Sequence, residues 1–195
     1  VRVIEEILIQ NYPATDVAVC HPDDLEHFVG PRTMAVGVGA HNPIGTAFST
    51  GVYSNIFGSS ARPVNAAESE RIYKHPAIRK YRPKVIVGGA GAWQIPKTNS
   101  MERLGVDYII NGRAEGVALE LFQKAEASAE LPPIVNAVEP TIEQIIIPKK
   151  RSTYGIVEMN RGCGRQCAFC SPTLETRISV PPEQALQAVR ANMSN

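Results

Sequence analysis

The chain has 195 residues, enough for one full α/β domain and part of another. Its apolar content of 44% is that of a globular protein, and a formal charge of +1 gives no basis for nucleic acid or an anionic membrane as partner. No apolar run reaches membrane-spanning length, no signal peptide is read at the start, and clustered cysteines fit a reducing interior, so the expected setting is cytoplasmic.

In chain order, residues 1–9 (VRVIEEILI) predict a helix that ends near Asn11-Tyr12-Pro13. Residues 16–20 (DVAVC) predict a strand, with Cys20 a buried core thiol. A short helix is expected over 23–29, stopped by Gly30-Pro31. Residues 33–38, 83–87 and 106–110 predict three further strands, and residues 115–127 an amphipathic helix. The stretch 48–82 is too long for an ordinary connection; helices are expected over 66–73 and 76–80, and residues 53–64 read as a loop or surface excursion. Alternating β and α units with apolar strands predict a parallel sheet covered on both faces.

Residues 128–153, with Pro132-Pro133, Pro140 and Pro148, read as a stiff linker between a first domain (1–127) and a second (154–195). The run Lys149-Lys150-Arg151 within it reads as a solvated face. Residues 156–159 predict a strand and 182–192 a helix. The chain opens without Met and closes soon after the last cysteine, which leads us to expect a piece of a longer protein whose first strand precedes Val1.

Glycines gather after the predicted strands: Gly37 and Gly39, Gly88 and Gly89, Gly112 and Gly116. Ligands of open α/β sheets bind beyond the carboxyl ends of the strands, where glycine lets a ligand approach the backbone. Each glycine alone is equally well read as part of a tight turn.

The most informative residues are 162–171, GCGRQCAFCS. Cys163, Cys167 and Cys170 stand in C-x-x-x-C-x-x-C spacing, with Phe169 before the last. Three thiolates on one short loop can hold three corners of a [4Fe–4S] cube and leave the fourth iron open. Zinc would need a fourth Cys or His, and the nearest histidine in sequence is the distant His75. Three cysteines cannot all pair among themselves as disulfides.

Residues 154–173, YGIVEMNRGCGRQCAFCSPT, resemble the radical S-adenosylmethionine superfamily. The resemblance implies that a strand at 156–159 leads into the cluster loop of a (β/α) barrel. Cys163, Cys167 and Cys170 would ligate the [4Fe–4S] cluster, and the backbone beside Phe169 would contact the adenine of S-adenosylmethionine. It also implies an electron donor such as ferredoxin or flavodoxin, and a 5′-deoxyadenosyl radical as the reactive product of cleavage.

A second resemblance covers roughly residues 1–126. VIVGGAGAWQIP and GVDYIINGRAEGVALELF look like the cobalamin-binding domain that precedes many such barrels, a flavodoxin-like (Rossmann-like) parallel sheet. It implies a cobalamin site built from the Gly37–Gly45 loop, including Gly39 and His41, from Gly88 and Gly89, and from Asn111, Gly112 and Glu115. A Cβ at Gly89 would then collide with the nucleotide tail or with the backbone path. Trp93, after Gly-Gly, is read as a core or surface aromatic that can also pack on the nucleotide tail. The D-x-H-x-x-G string of histidine-on-cobalt proteins is absent, so His41 is expected to be a loop residue, not a cobalt ligand.

Together these resemblances imply a cobalamin-dependent radical S-adenosylmethionine enzyme that transfers a methyl group to an unactivated carbon. A non-methylating enzyme of the same architecture, or a cofactor-binding module without activity of its own, stays open. The substrate is a protein or a small molecule. RGCGRQCAFCSPT together with GVYSNIFGSSARPVNA resembles archaeal members, including those that C-methylate a glutamine of methyl-coenzyme M reductase.

Overall fold

The structure is a computed structural model and describes residues 1–56, 58, 62–168, 170 and 176–194. Four strands form one all-parallel sheet in the order β1 (Ala35–Gly39), β2 (Lys84–Gly88), β3 (Tyr108–Asn111) and β4 (Ile134–Asn136). The helices outside it are α1 (Arg2–Ile9), α2 (Leu25–Phe28), α3 (Phe48–Ile56), α4 (Val64–Tyr73), α5 (Pro76–Tyr81), α6 (Gln94–Lys97), α7 (Met101–Leu104) and α8 (Ala118–Glu126). The chain is therefore α/β, as the alternation of apolar strands and helical patterns predicts.

Successive strand residues face opposite ways. Val85, Val87 and Ile109 point into the larger core, against Tyr73 of α4, Ala77 and Ile78 of α5, Ile95 of α6 and Leu104 of α7. Ile86 and Ile110 point the other way, against Leu121 and Ala125 of α8. The β1–β2 and β2–β3 crossovers thus cover one face. The β3–β4 crossover covers the other while advancing in the same direction, so its hand is opposite to theirs. The chain changes faces in the loop after Asn111.

Several expectations are corrected. Residues 16–20 pair with no strand; β1 is the sheet edge, and Cys20 is half-buried against the larger core. Among its described residues the stretch 48–82 holds three helices, and α3 includes residues 53–56, read as loop. Part of the presumed linker is β4. Pro133 is tolerated there because it lies just before a short edge strand, where its carbonyl accepts a hydrogen bond from the Ile109 amide (2.8 Å).

Beyond the sheet, β5 (Asn160–Arg161) and β6 (Ile178–Ser179) pair antiparallel, followed by α9 (Pro182–Met193). Residues 156–159, expected as a strand, join no ladder. Ile145, Val180 and Ala185 form a small separate core. Lys149 and Lys150 are not merely solvated: their ammonium groups meet Glu6 (3.1 Å) and Glu5 (2.8 Å), two buried carboxylates on α1. Among the described residues, no helix is long and apolar enough to cross a membrane.

Candidate functional site

The carboxyl ends of β1, β2 and β3 open into neighbouring loops, and backbone hydrogen bonds lace the β1 end to the β2 end and the β3 end to the β4 end. The Ala40 amide donates to the Gly88 carbonyl (2.7 Å), the Gly91 amide to the Ala40 carbonyl (3.0 Å), and the Ala137 amide to the Asn111 carbonyl (2.8 Å). This lacing accounts for the glycines. Gly89 has φ +93°, and a Cβ there would lie 2.8 Å from the Ala40 carbonyl oxygen. At Gly91 a Cβ would lie 1.9 Å from the His41 oxygen. Gly112, at φ +106°, faces the Ala137 oxygen at 2.9 Å, and Gly37 faces the Phe122 ring at 2.9 Å. Of the two obstacles expected for a Cβ at Gly89, ligand or backbone, the structure supplies the backbone one, in the neighbouring loop. Gly39 has only Val1 nearby, and Gly88 only Ile110, both at ordinary contact distance. Gly116, by contrast, has open space around it.

Two side chains that the sequence reading passed over hold the first loop. Asn42 is buried; its Nδ2 donates to Thr50 Oγ1 (2.7 Å) and its Oδ1 accepts from the Ala47 amide (3.1 Å). Gln94 is buried at the start of α6, and its Oε1 accepts from the Ile44 amide (3.3 Å). Both lie next to residues already of interest, His41 and Trp93, and a polar residue inside an apolar loop was the available signal. His41 itself is exposed. Asn111 donates from Nδ2 to Asn136 Oδ1 (3.0 Å) at the open edge. The Trp93 indole N–H is buried with no acceptor among the described residues, and Lys97 Nζ sits 5.2 Å from its ring centroid.

The cysteine loop leaves β5 directly after Arg161. Gly162, Gly164 and Gln166 all take positive φ (66°, 73° and 51°), so the chain coils tightly at alternate residues. Glycine accepts that conformation freely, whereas for Gln166 it costs about 1–3 kcal/mol. The coil presents Cys163 and Cys167 to solvent and leaves Cys170 half-buried, with the Cys170 amide donating to the Cys167 carbonyl (2.8 Å). All are free thiols. Asn160, Gly162, Cys163, Arg165 and Arg177 line an open recess of about 280 Å³ beside them. Phe169 lies outside the described residues. Among those described, no three metal-ligating side chains converge into one group.

Arg161 connects the two regions. Its side chain is almost fully buried, with Nη1 in close ion pair with Glu115 Oε1 and Nη2 at 2.9 Å from Glu158 Oε2. The Glu115 contact is close, but it lacks the alignment of a hydrogen bond, and Nε has no partner among the described residues. Burial opposes the guanidinium charge; the two carboxylates outweigh it and hold Arg161 above its ordinary range. Glu115 belongs to the loop after β3, so the cysteine loop is tied to the carboxyl edge of the sheet. Of the expected site residues, the structure thus brings Gly39, His41, Gly88, Gly89, Asn111, Gly112 and Glu115 to one edge, whereas Gly37, expected after the strand, lies inside β1 opposite Ile86. It joins Cys163, Cys167 and Cys170 to that edge through Arg161.

Comparison with family models, with curated proteins and with solved structures finds no match for this chain.

The donor set can be tested against the groups that the sequence implies. Three free thiols, two of them exposed, within the eight residues 163–170 fit three irons of a [4Fe–4S] cluster by softness and number. For cobalamin, Gly89 and Gly112 fit protein packing and do not themselves argue for a ligand. The orphaned Trp93 donor is the edge feature that calls for an outside acceptor.

Proposed function

We propose that this chain carries the cobalamin-binding domain, of flavodoxin-like type, and the cluster loop of a radical S-adenosylmethionine enzyme that methylates an unactivated carbon. The supporting observation is the joining of the C-x-x-x-C-x-x-C loop to the carboxyl edge of a parallel sheet through the buried Arg161–Glu115 pair. Chemistry that uses two cofactors on one substrate requires their sites to face each other at fixed separation.

Cys163, Cys167 and Cys170 would hold the cluster, and the loops at Gly37–Gly45, Gly88–Gly89 and Asn111–Glu115 would hold the corrinoid. When bound, the cluster supplies the electron that cleaves S-adenosylmethionine and cobalamin serves as methyl carrier. The protein's part is positional. The left-handed turns at Gly162, Gly164 and Gln166 point the thiols outward, and Arg161 fixes the base of their loop. Arg165 and Arg177, beside Cys163, place two cations where a carboxylate-bearing ligand would approach. Asn42 and Gln94 hold the first strand-end loop in shape.

The test is anaerobic reconstitution with iron, sulfide and hydroxocobalamin. The chain should take up about four iron and four sulfide per molecule, and lose that capacity in Cys167→Ala. The protein containing this chain, given dithionite and methyl-labelled S-adenosylmethionine, should release 5′-deoxyadenosine and transfer label to carbon. Cleavage without transferred label would point to the non-methylating alternative. Zinc bound in place of iron would overturn the proposal.

A further inference from the structure

We infer that Arg161 is a positioning residue, a buried latch that couples the loop after β3 to the cysteine loop. This rests on the reading just proposed for its purpose, though not for its existence. Three observations carry it. The guanidinium is shared between Glu115, where the chain changes sheet faces, and Glu158, three residues before it on its own segment. Both the guanidinium and the Glu115 carboxylate are removed from water, Arg161 at 2% and Glu115 at 8% side-chain exposure. Cys163 follows Arg161 by only two residues, and no regular element intervenes.

A buried charge released from its partner has no water to turn to, so the pair holds its geometry far more firmly than a surface pair would. A displacement of the 111–115 loop must therefore carry Arg161, and with it the first cysteine. The converse holds too, since coupling between two sites is reciprocal. Two more ties lie in the segment before it, Lys149 and Lys150 on Glu6 and Glu5, but these anchor α1 to residues well ahead of the cysteine loop. Arg161 alone joins the cysteine loop to a strand-end loop in this way among the described ion pairs. Formally the triad holds one cation between two anions, a fixed net charge of −1 close to the cluster ligands. Charge near a cluster is one of the levers on its reduction potential.

The experiment uses the full chain with Glu115→Gln, Arg161→Met and the conservative Arg161→Lys, read first by amide hydrogen exchange without cofactor. Glu115→Gln should speed exchange about ten-fold or more in both 111–117 and 158–168, while β2 and α4 stay protected. Arg161→Lys should fall between wild type and Arg161→Met, because one ammonium can serve only one carboxylate well. Acceleration confined to 111–117 would overturn the latch. Uniform loss of protection through the sheet would also overturn it, by making Arg161 a general core residue. The second readout is the midpoint potential of the reconstituted cluster. Glu115→Gln should shift it upward and Arg161→Met downward; shifts of the same sign would mean that altered solvent exposure, not charge, acts there. If no iron is taken up even by wild type, the cofactor reading fails while hydrogen exchange still decides the latch.

Discussion

The parallel sheet and the cysteine loop are built on opposite principles. In the sheet and the helices packed on it, Val87, Ile95, Leu104 and Ile109 are wholly buried, and strand-end glycines exist so that one loop's backbone can touch the next. In the cysteine loop Cys163 and Cys167 face solvent, the paired strands are two residues long, and the coil depends on left-handed residues. The sheet derives its shape from apolar burial. The loop has little to bury and takes its shape from one charged anchor at its base, with ligand bonds able to supply the rest. A substitution should therefore damage function in one region without touching stability, and do the reverse in the other.

The largest expected effect follows from that division. Cys167→Ala should abolish iron uptake and S-adenosylmethionine cleavage while changing unfolding free energy by no more than about 0.5 kcal/mol, since the side chain is exposed. Iron analysis and urea denaturation on one sample check both halves. Undiminished cleavage would remove the cysteine from the cluster.

In the sheet the ordering reverses. Gly91→Ala forces a methyl to within 1.9 Å of the His41 carbonyl oxygen and should cost about 3 kcal/mol, measured by urea denaturation. Gly89→Ala should cost a similar amount, from its positive φ and the Ala40 carbonyl together. Gly116→Ala, with nothing within 4 Å, should be close to neutral. Comparable losses at all three would mean that the loops do not interlock as described.

A smaller effect is expected from the polar pins. Asn42→Ala removes a donor to Thr50 and an acceptor for Ala47, and should cost about 1–3 kcal/mol while loosening only the β1-end loop. Amide exchange localised to residues 40–50 would agree; exchange throughout the sheet would not.

Acid separates the regions in another way. Burial raises the Glu5 and Glu6 carboxyls, but Lys150 with Arg2, and Lys149 with Gln10, outweigh it and hold both below the ordinary carboxylate value of 4.5. A group depressed on folding stabilises above its unfolded value, and that stability is lost as pH falls through the folded one. The tie between α1 and residues 149–150 should therefore weaken below about pH 4.5, seen as faster exchange of the Lys149 amide, which donates to Glu6. Glu70 is held at about 2 by Lys74 first and by Arg62 and Arg103, so the α4 network should persist further into acid. Simultaneous loss of both would show that they are not independent.

The smallest effect should come from His41→Ala. The side chain is exposed and lacks the context of a cobalt ligand, so the electron paramagnetic resonance spectrum of the bound cob(II) form should not change. Nitrogen splitting that disappears in the variant would make His41 a ligand after all.

Much of the fold was legible because the signals were local. The apolar strands β1, β2 and β3, the helices α1, α4, α5, α8 and α9, and the cysteine spacing are each written within a few consecutive residues. The misreadings share one cause. Residues 16–20 look like a strand, and residues 134–136 look like part of a proline-stiffened linker. Yet a strand exists only where a partner offers its backbone, and that offer comes from elsewhere in the chain. The sequence by itself determined the α/β class, the cysteine motif and where the glycines lie. Only the tertiary structure decided that Gly89, Gly91 and Gly112 serve the packing of neighbouring loops, and that β4 completes the sheet. It alone decided that Arg161 reaches Glu115, because burial and charge pairing depend on residues 46 positions apart meeting in space, which no local pattern encodes.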